Sequence, residues 1–309
     1  MTQLLQKISK QKSDDALSKS GLLLNVGPFR TNIKIGFKNV REEFRQVYKN
    51  YPVEQEPAIS NYHLNIYGKN LFRRWIRKQA TIETLMNDNF IPLPAELGMV
   101  SVEMGLNWQI AISCRNFVLF HAGVVEKNGV GIIMPAMSGS GKSTLSAGLA
   151  YDGWRFLADE FGMLDNASGQ LVPYPRPISL KNESIQVMKD WIGNDEPFSR
   201  VYEGTPKGRI CYLSPPAQSI EHMGQKVQPK AIILPVFNKN AVPEIKPITK
   251  TMAFFRLVMS SANYGEMGEA AFKAISKVVD ECAVCEIHYS SLEQGIALVN
   301  EFVADNIGN

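Results

Sequence analysis

Hydrophobic and polar residues alternate over much of residues 21–110, and this pattern predicts a β-rich N-terminal domain. Ile33–Lys38 and Tyr62–Tyr67 alternate with the period of two that is typical of half-buried strands. A glycine-containing turn then predicts a hairpin whose return strand covers Leu71–Lys78. Because Arg41–Tyr48 has the spacing of a helix, we expect this domain to be of the α+β class.

From about residue 111 onward, short apolar runs alternate with helical periodicity, which predicts an α/β domain over residues 111–309. Residues 1–20 form a polar N-terminal segment that we expect to be frayed or helical. The apolar run Lys230–Phe237 predicts a central strand, although Pro235 lacks the N–H group that such a strand donates. The other predicted elements are strands at 131–134, 154–158 and 284–289 and helices at 251–260, 268–281 and 291–303.

Aromatic and basic residues are interleaved in the predicted return strand. Its four cations are either a surface for an acidic partner or, as we favour, the solvated face of a hairpin: Arg73, Arg74, Arg77 and Lys78. We expect Trp75 and Trp108 to be buried, which favours packing of the N-terminal domain beside the C-terminal one.

Composition changes this picture little. The chain has 309 residues, of which 45% are hydrophobic and 20% charged, as in ordinary globular proteins. The formal net charge of +3 is too small to indicate nucleic-acid binding. No apolar run approaches the roughly 18 residues that a membrane helix needs, and the N-terminus lacks the features of a signal peptide. We therefore expect a cytoplasmic protein without a membrane span, and the sequence leaves homo-oligomerisation open.

Four cysteines allow two interpretations. Cys282 and Cys285 have the spacing of a redox or metal motif, but a zinc site needs a second pair. Cys114 and Cys211 lie far apart in the sequence and have no such partners. We favour buried thiols in a reducing compartment over a functional cysteine pair.

The most specific motif is Ala-Met-Ser-Gly-Ser-Gly-Lys-Ser-Thr at 136–144, which is typical of a phosphate-binding loop. It follows the predicted strand 131–134 and precedes Leu145 and Leu149, which have helical spacing. A glycine loop that joins a strand to a helix N-terminus binds anions through free backbone amides and the helix dipole. We favour this interpretation over a chance glycine- and serine-rich loop, although Ala136 stands where the motif usually has its first glycine.

This motif predicts a site for ATP and Mg²⁺. Lys142 is expected to neutralise the β- and γ-phosphates, and the Ser143 hydroxyl is expected to ligate Mg²⁺. The residues predicted to bind the nucleotide in this loop are Ser138, Gly139, Ser140, Gly141, Lys142, Ser143 and Thr144.

An acidic pair, Asp159 and Glu160, follows the predicted strand Trp154–Ala158. The strands before and after the predicted loop form a βαβ unit, so both should end at the same edge of a sheet. We therefore expect Asp159 to face the γ-phosphate that Lys142 binds. Asp165 is a second candidate, but Asp165–Gly169 has turn composition, and we favour a turn role for it.

At this point the chain resembles a known family. In order and spacing, Phe120–Gly123, the loop at 136–144 and Leu157–Glu160 resemble the core of HPr kinase/phosphorylase. The chain is similar over nearly its whole length, from about Leu22, to the group called HPr-kinase-related kinase A. Further blocks that resemble this group are Gly27–Phe29, Arg73–Trp75, Gly105–Trp108, Arg176–Asn182 and Thr205–Arg209. The resemblance to HPr kinase itself covers only about residues 115–300.

The resemblance implies a fold and a set of roles. The fold is an α/β P-loop nucleotide-binding core of the HPr kinase/phosphoenolpyruvate carboxykinase type, preceded by the β-rich N-terminal α+β domain. By position, Asp159 is the general base on a serine hydroxyl, Glu160 the acid on the metal side and His121 an assisting group. The chain departs from the family at Ala136, at Thr144 in place of an acid and at Glu160 in place of an aspartate. The family's second motif has no clear counterpart, so phosphorolysis is not expected.

Three further cations lie in loops rich in proline or glycine: Lys181, Lys207 and Arg209. Phosphoryl transfer requires positive charge beyond a single lysine, so we expect these residues to line the mouth of the phosphate site. The alternative is that they are solvated loop charges. Arg176, between two prolines, is a weaker candidate of the same kind.

The sequence therefore predicts an ATP-dependent kinase that transfers the γ-phosphoryl group to a serine-type hydroxyl of a protein, a peptide or a small molecule. Neither a His-Arg-Asp triplet nor an Asp-Phe-Gly triplet is present, so an ordinary protein-kinase fold is not expected. The alternative is a nucleotide-binding regulatory protein with little or no transferase activity. A third hypothesis is phosphorylation of a biosynthetic peptide tail, as some relatives perform. Asp159 discriminates between these classes, because a pure switch needs no base.

Overall fold

The computed structural model describes residues 2–55, 59–86, 90–135 and 139–307. Ala136 and Ser138 of the predicted phosphate loop lie outside these ranges. Contacts between Cα atoms divide the chain into two compact units. Unit 1 consists of Met1–Cys114 and Glu196–Ser214, and unit 2 consists of Arg115–Asp195 and Pro215–Asn309. No helix in the described ranges is long and apolar enough to cross a bilayer.

Strands and helices occur along the whole chain and the strands form several sheets, so the protein belongs to the mixed α/β class. The strands are β1 (Gln3–Leu4), β2 (Leu22–Val26), β3 (Phe29–Ile35), β4 (Pro52–Glu54), β5 (Tyr62–Tyr67), β6 (Gln79–Glu83), β7 (Leu93–Pro94), β8 (Phe117–Phe120), β9 (Ala122–Lys127), β10 (Val130–Pro135), β11 (Arg155–Ala158), β12 (Gly162–Asp165), β13 (Leu171–Val172), β14 (Ile178–Lys181), β15 (Tyr202–Thr205), β16 (Gly208–Leu213), β17 (Pro229–Phe237), β18 (Glu244–Pro247) and β19 (Ala283–Tyr289). The α-helices are α1 (Lys10–Asp15), α2 (Lys38–Val47), α3 (Leu71–Trp75), α4 (Gly98–Ser113), α5 (Lys142–Tyr151), α6 (Glu183–Ile192), α7 (Ala217–Glu221), α8 (Lys250–Ser260), α9 (Tyr264–Met267), α10 (Glu269–Glu281) and α11 (Leu292–Ile307).

Unit 1 contains a seven-stranded sheet in the order β1-β4-β2-β3-β5-β6-β7. Alternation in the sequence explains β3, whose residues are buried at every second position. Helix α2 buries Val40, Phe44 and Val47, which lie on one face at helical spacing. The polar N-terminal segment is helical over α1, and Leu5 and Leu17 around it are fully buried.

The segment Glu196–Ser214 belongs to unit 1, whereas the sequence analysis placed it in the C-terminal domain. It forms the β15–β16 hairpin, in which Tyr202 is fully buried. The hydroxyl of Tyr202 donates a hydrogen bond of 3.0 Å to Glu43, and the amide of Gln46 donates one of 3.3 Å to the carbonyl of Phe198. These partners lie far apart in the sequence, so local patterns do not reveal the association.

The predicted return strand over Leu71–Lys78 is wrong. Helix α3 occupies Leu71–Trp75, and the antiparallel partner of β5 is the later strand β6. The predicted burial of Trp75 and Trp108 is also wrong, because these side chains are 69% and 44% exposed. The four cations near Trp75 therefore lie on and directly after a short helix, and they do not form the face of a hairpin.

Unit 2 is built on a six-stranded sheet in the order β11-β9-β10-β17-β19-β18. Strands β10, β17 and β19 are mutually parallel, and β9 is antiparallel to both β10 and β11. The predicted strands before and after the phosphate loop are thus confirmed and run in the same direction, with β9 between them. Helices α8 and α10 cover one face of the sheet through Leu257 and Ile275, which pack with Ile133 and Ile232.

Helices α5 and α11 lie together in unit 2. A Cβ atom at Gly148 of α5 would lie 2.6 Å from Leu292 of α11, so the two helices pack closely there. Strand β17 is central, as predicted, with β10 and β19 as neighbours. Pro235 is accommodated because the pairing of β17 with β10 covers only Pro229–Ile232. Its missing N–H group therefore removes no hydrogen bond of that ladder.

Candidate functional site

Four strand ends of unit 2 meet at one edge of the sheet. Strands β10, β11, β17 and β19 run in the same direction, so their C-terminal ends lie together. The antiparallel strand β9 begins at this edge, and His121 immediately precedes it. The edge therefore brings together three sequence-predicted features: His121, the loop after β10, and the Asp159–Glu160 pair after β11. The C-terminal edge of a parallel sheet is the usual place for a ligand site.

Gly123 explains why α5 can lie directly against β9. A Cβ atom at this position would be 2.0 Å from the Ser146 hydroxyl oxygen and 3.4 Å from Cγ of Lys142. A side chain at this position would require the Ser146 side chain to move. The approach fixes Lys142, the first residue of α5, beside the strand that His121 precedes.

The described part of the predicted phosphate loop has the backbone that its glycines permit. Gly139 and Gly141 have φ values of +89° and +84°, a region that residues with a side chain rarely adopt. Ser140 accepts a hydrogen bond of 3.3 Å from the backbone N–H of Phe237, at the end of β17. Helix α5 begins at Lys142, as predicted, and the Lys142 side chain is only 6% exposed. Ser138, predicted to bind the phosphates, lies outside the described residues.

A cleft of about 780 Å³ opens over this loop within unit 2. Its walls include most of the predicted site residues: His121, Gly139, Gly141, Lys142, Ser143, Thr144, Glu160 and Lys181. A volume of this size lies within the range of ordinary ligand sites. The cleft is lined by charges of both signs. Lys142, Lys181 and His121 line the cleft together with Glu160, and the acids Glu183, Asp190 and Glu293 also belong to its wall.

Asp159 is the most unusual ionisable group at this edge. Its side chain is buried, and neither carboxylate oxygen has a hydrogen-bond partner of ordinary geometry among the described residues. Burial raises the pKa of Asp159 above its usual value. The charge of Lys142 and the nearby Ser143 hydroxyl oppose this shift, and the charge of Glu160 adds to it.

Asp159 does not line the large cleft. It lines a neighbouring crevice of about 20 Å³ together with Tyr174 and Arg176, and Glu160 lines both cavities. The Arg176 guanidinium lies 5.6 Å from the centre of the Tyr174 ring and is buried. From the sequence, Arg176 is the weakest candidate among the loop cations. In the structure it lines the same crevice as Asp159, the predicted base.

His121, Glu160 and Lys181 form a small polar cluster beside the loop. Nδ1 of His121 lies 3.7 Å from a carboxylate oxygen of Glu160, and Nζ of Lys181 lies 3.9 Å from the other. Burial and the charge of Lys142 lower the pKa of His121, so its neutral form is favoured. Lys181 ends β14, and its backbone N–H donates a hydrogen bond of 2.8 Å to the Ser184 hydroxyl oxygen, which joins the strand to the start of α6.

Asp165 is a turn residue, as the sequence indicated. Its carboxylate accepts hydrogen bonds from the backbone N–H groups of Ala167 and Ser168 at 2.9 and 3.2 Å. It also pairs with Lys226, whose charge and hydrogen bond lower the pKa of Asp165. All of its described contacts are those of a structural carboxylate.

The donor atoms near the loop fit Mg²⁺. Ser143, Asp159 and Glu160 supply oxygen atoms, the ligand type that this ion prefers. The described residues contain no group of three or more His, Cys, Asp or Glu side chains that could hold a metal ion by themselves. This combination suits Mg²⁺, which is usually bound through one or two carboxylates and completes its shell with water and substrate phosphates.

Lys207 and Arg209 belong to unit 1, where they lie on the β15–β16 hairpin. The hairpin turn is closed by Thr205, whose hydroxyl donates to the Gly208 carbonyl at 2.6 Å and accepts from the Lys207 backbone N–H. Their proposed place at the phosphate site stays a prediction.

Sequence reasoning missed Tyr289, which lies beside the loop in space but far from it in the sequence. Its ring lines the cleft and its hydroxyl is buried without a hydrogen-bond partner among the described residues. A Cβ atom at Gly141 would lie 2.8 Å from that hydroxyl oxygen, so Tyr289 stands directly against the loop. Burial raises the pKa of the Tyr289 hydroxyl, which therefore remains a neutral donor.

Helix α6 supplies a second missed part of the wall. Ile185 and Met188 on one side of it are buried, whereas Val187 and Trp191 line the cleft. No signal in the sequence marks this second apolar side, because the spacing of these residues is that of any amphipathic helix.

The cysteines carry no visible chemistry. All four are free and buried, and burial raises the pKa of both Cys282 and Cys285 to about 12. Thiols with so high a pKa are almost entirely protonated at neutral pH and are poor nucleophiles and ligands.

Comparison with known proteins gives limited information. No model of a protein family matches the chain, and no curated protein matches it. Among solved structures, the HPr(Ser) kinase/phosphatase from Coxiella burnetii is similar over 60% of this chain and 94% of that chain, with 13% sequence identity and a TM-score of 0.28. A TM-score of this size assigns neither a fold nor a function to the chain.

Proposed function

We propose that unit 2 is an ATP-dependent kinase that transfers the γ-phosphoryl group to a serine-type hydroxyl of a protein, a peptide or a small molecule. The observation that carries this proposal is the environment of the Asp159 carboxylate. It is a buried carboxylate whose oxygens have no hydrogen-bond partner of ordinary geometry among the described residues, and it lies near Lys142 and Ser143 of the predicted phosphate loop. Burial of an unpaired carboxylate is costly, and such groups concentrate at functional sites.

In this proposal, the chain's own residues bind, orient and deprotonate. Backbone N–H groups of Gly139–Thr144 and the Lys142 ammonium bind the phosphates, and the Ser143 hydroxyl and Glu160 carboxylate hold Mg²⁺. When bound, Mg²⁺ neutralises charge on the phosphate oxygens. Asp159 accepts the proton of the acceptor hydroxyl. At the same time the hydroxyl oxygen of the acceptor forms a bond to the γ-phosphorus, and the bond between that phosphorus and the leaving oxygen of ADP breaks.

His121 and Lys181 have supporting roles. The neutral imidazole of His121 orients Glu160, and Lys181 contributes positive charge that offsets the charge spread over the transferred group. Lys207 and Arg209 would add charge of the same kind if unit 1 brings them to the cleft. The acceptor itself is defined only by its hydroxyl.

The test is ADP formation by the full chain with ATP and Mg²⁺ in the presence of candidate acceptors that carry serine hydroxyls. Asp159→Asn keeps the size of the side chain but removes the proton acceptor. We expect its turnover to fall by about 10²–10⁴-fold while ATP binding, measured by calorimetry, persists. Asp165→Asn is the matched control and should retain activity, since Asp165 serves a turn.

One observation favours a second candidate, a nucleotide-binding regulatory protein with little transferase activity. Asp159 lines the crevice of about 20 Å³ and not the cleft of about 780 Å³. An acceptor in the cleft would therefore have to reach it past Glu160. If ATP binds and no acceptor increases ADP formation, and if Asp159→Asn changes neither property, the regulatory function is the correct one.

A further inference from the structure

The segment Leu71–Lys78 of unit 1, which contains α3, separates apolar from cationic residues. The apolar residues are Leu71, Phe72, Trp75 and Ile76, and the cationic ones are Arg73, Arg74, Arg77 and Lys78. Within α3, at about 100° per residue, Leu71, Phe72 and Trp75 lie toward one side and Arg73 and Arg74 toward the other. Ile76, Arg77 and Lys78 follow the helix directly. We call these eight residues the Leu71–Lys78 surface.

The apolar side of this surface is exposed to solvent. Leu71, Trp75 and Ile76 are 75%, 69% and 71% exposed, and Phe72 is 47% exposed. Single exposed apolar residues are common, but four that are adjacent on one short helix are not. Contiguous apolar side chains of this kind mark a surface that interacts with another molecule.

Backbone contacts fix the conformation of the segment. The side chain of Asn70 caps α3 by accepting a hydrogen bond of 2.9 Å from the N–H of Arg73. At the other end, the carbonyl of Lys78 accepts one of 3.0 Å from the N–H of Ala95. A Cβ atom at Gly68 would lie 2.9 Å from Cα of Arg74, so the helix folds back tightly onto the end of β5. These contacts therefore hold the Leu71–Lys78 surface in a defined conformation.

The four cations of the surface have no carboxylate partner within the described part of the chain, although Arg73 lies 5.5 Å from the centre of the Phe72 ring. Six other cations of unit 1 do have such partners: Lys10 with Glu42, Lys19 with Asp15, Arg30 with Glu54, Arg41 with Asp14, Lys49 with Glu196 and Arg200 with Glu43. The positive charge of the Leu71–Lys78 surface is thus concentrated and not neutralised by neighbouring acids.

We propose that the Leu71–Lys78 surface binds the face of a lipid bilayer that contains anionic headgroups. Such a bilayer accommodates both sides of the segment, because the aromatic and aliphatic side chains enter the acyl boundary while the cations remain among the headgroups. Tryptophan favours this interfacial level in particular. A groove on an acidic protein would cover the apolar side and leave cations on the opposite side in water. The binding is peripheral, and it is independent of the kinase proposal.

The test is co-sedimentation of the full chain with vesicles of phosphatidylcholine alone and of phosphatidylcholine with phosphatidylglycerol. We expect binding to the anionic vesicles that weakens as salt is raised. Arg74→Glu/Arg77→Glu should lower the partition coefficient by roughly fivefold or more for each cation lost. Trp75→Ser/Ile76→Ser should lower it by about tenfold or more. Thermal melting shows whether each variant is folded; these side chains are exposed, so no loss of stability is expected.

Matched controls change exposed residues elsewhere. Val242→Ser/Met259→Ser removes apolar side chains that are 77% and 73% exposed, and Lys12→Glu/Lys230→Glu reverses two other exposed cations. Both controls should bind like the unchanged protein. Equal binding by the controls and the Leu71–Lys78 variants, or no binding of the unchanged protein to anionic vesicles, would overturn the proposal. Binding to soluble polyglutamate but not to vesicles would instead assign the surface to an acidic protein.

Discussion

Nδ1 of His121 lies 3.3 Å from the backbone carbonyl oxygen of Glu160. A carbonyl oxygen can only accept, so Nδ1 carries the proton of the neutral imidazole and Nε2 is left as an acceptor. Burial and Lys142 lower the pKa of this ring, which keeps it neutral at physiological pH. This contact joins Glu160, the residue after Asp159, to His121, the residue before β9.

His121→Ala should reduce phosphoryl transfer less than Asp159→Asn does, because His121 acts through Glu160 and not on the acceptor. We also expect a higher Mg²⁺ concentration for half-maximal activity, since Glu160 loses a neighbour that fixes its position. His121→Gln, which can restore a hydrogen bond to the Glu160 carbonyl, should recover part of this loss. Titration of activity with Mg²⁺ measures both effects, and an unchanged Mg²⁺ dependence in His121→Ala would exclude this role.

Lys142→Ala should weaken ATP binding and abolish transfer, because one substitution removes a charge and the main side-chain donor to the phosphates. Calorimetry measures the affinity, and ADP formation measures the transfer. Lys230→Ala, at an exposed lysine of the same unit, is the control. Unchanged affinity and full activity of Lys142→Ala would refute the site.

Asp159→Asn should raise the melting temperature near neutral pH. The folded-state pKa of Asp159 lies above the unfolded value, so ionisation costs stability that is present at low pH and is lost as pH rises through the folded-state pKa. The advantage of the asparagine should therefore vanish below the ordinary aspartate pKa. Asp165→Asn should show the opposite sign, because the pKa of Asp165 is lowered and its charge stabilises the fold above the unfolded value. Melting curves over a pH series decide this.

Lys181→Met should lower transfer more than ATP binding, because its charge would meet charge that develops on the moving phosphoryl group. We predict the same pattern for Lys207→Met and Arg209→Met if both lie at the mouth of the cleft. The ratio of the loss in kcat to the loss in ATP affinity separates this role from plain nucleotide binding. Full activity of the last two variants would identify them as solvated loop charges.

Tyr289→Phe should weaken ATP binding by about tenfold to a hundredfold if the hydroxyl donates to a phosphate oxygen. Without nucleotide, the same variant should be as stable as the unchanged protein or more stable, since it removes a buried hydroxyl that has no partner among the described residues. General damage to the loop would instead lower both affinity and stability. Tyr264→Phe, on α9, is the control.

The sequence predicts the parts of the site that are joined by short stretches of chain. Gly139, Gly141 and Lys142 follow one predicted strand, Asp159 follows the next, and a sheet edge places both. Tyr289 could not be found in this way, because only the parallel pairing of β17 with β19 brings it beside the loop.

The prediction of a strand at Leu71–Lys78 is wrong for a different reason. Its pairs of apolar and basic residues repeat every four positions, which a helix accommodates as two opposite sides. We interpreted the segment as a strand because it follows a strand and a turn. The association of the segment Glu196–Ser214 with unit 1 has no local signal in the sequence, since its partners Glu43 and Gln46 lie on α2.

The excursion of the chain at Glu196–Ser214 has a consequence for how this protein can be divided. Unit 2 is interrupted between Asp195 and Pro215, and the intervening hairpin belongs to unit 1. No single cut therefore separates the two units cleanly. A fragment that begins at Arg115 retains the buried Tyr202 and Leu213 without the first 114 residues that accompany them. Truncation at one end of the gene therefore cannot remove one unit completely and leave the other complete.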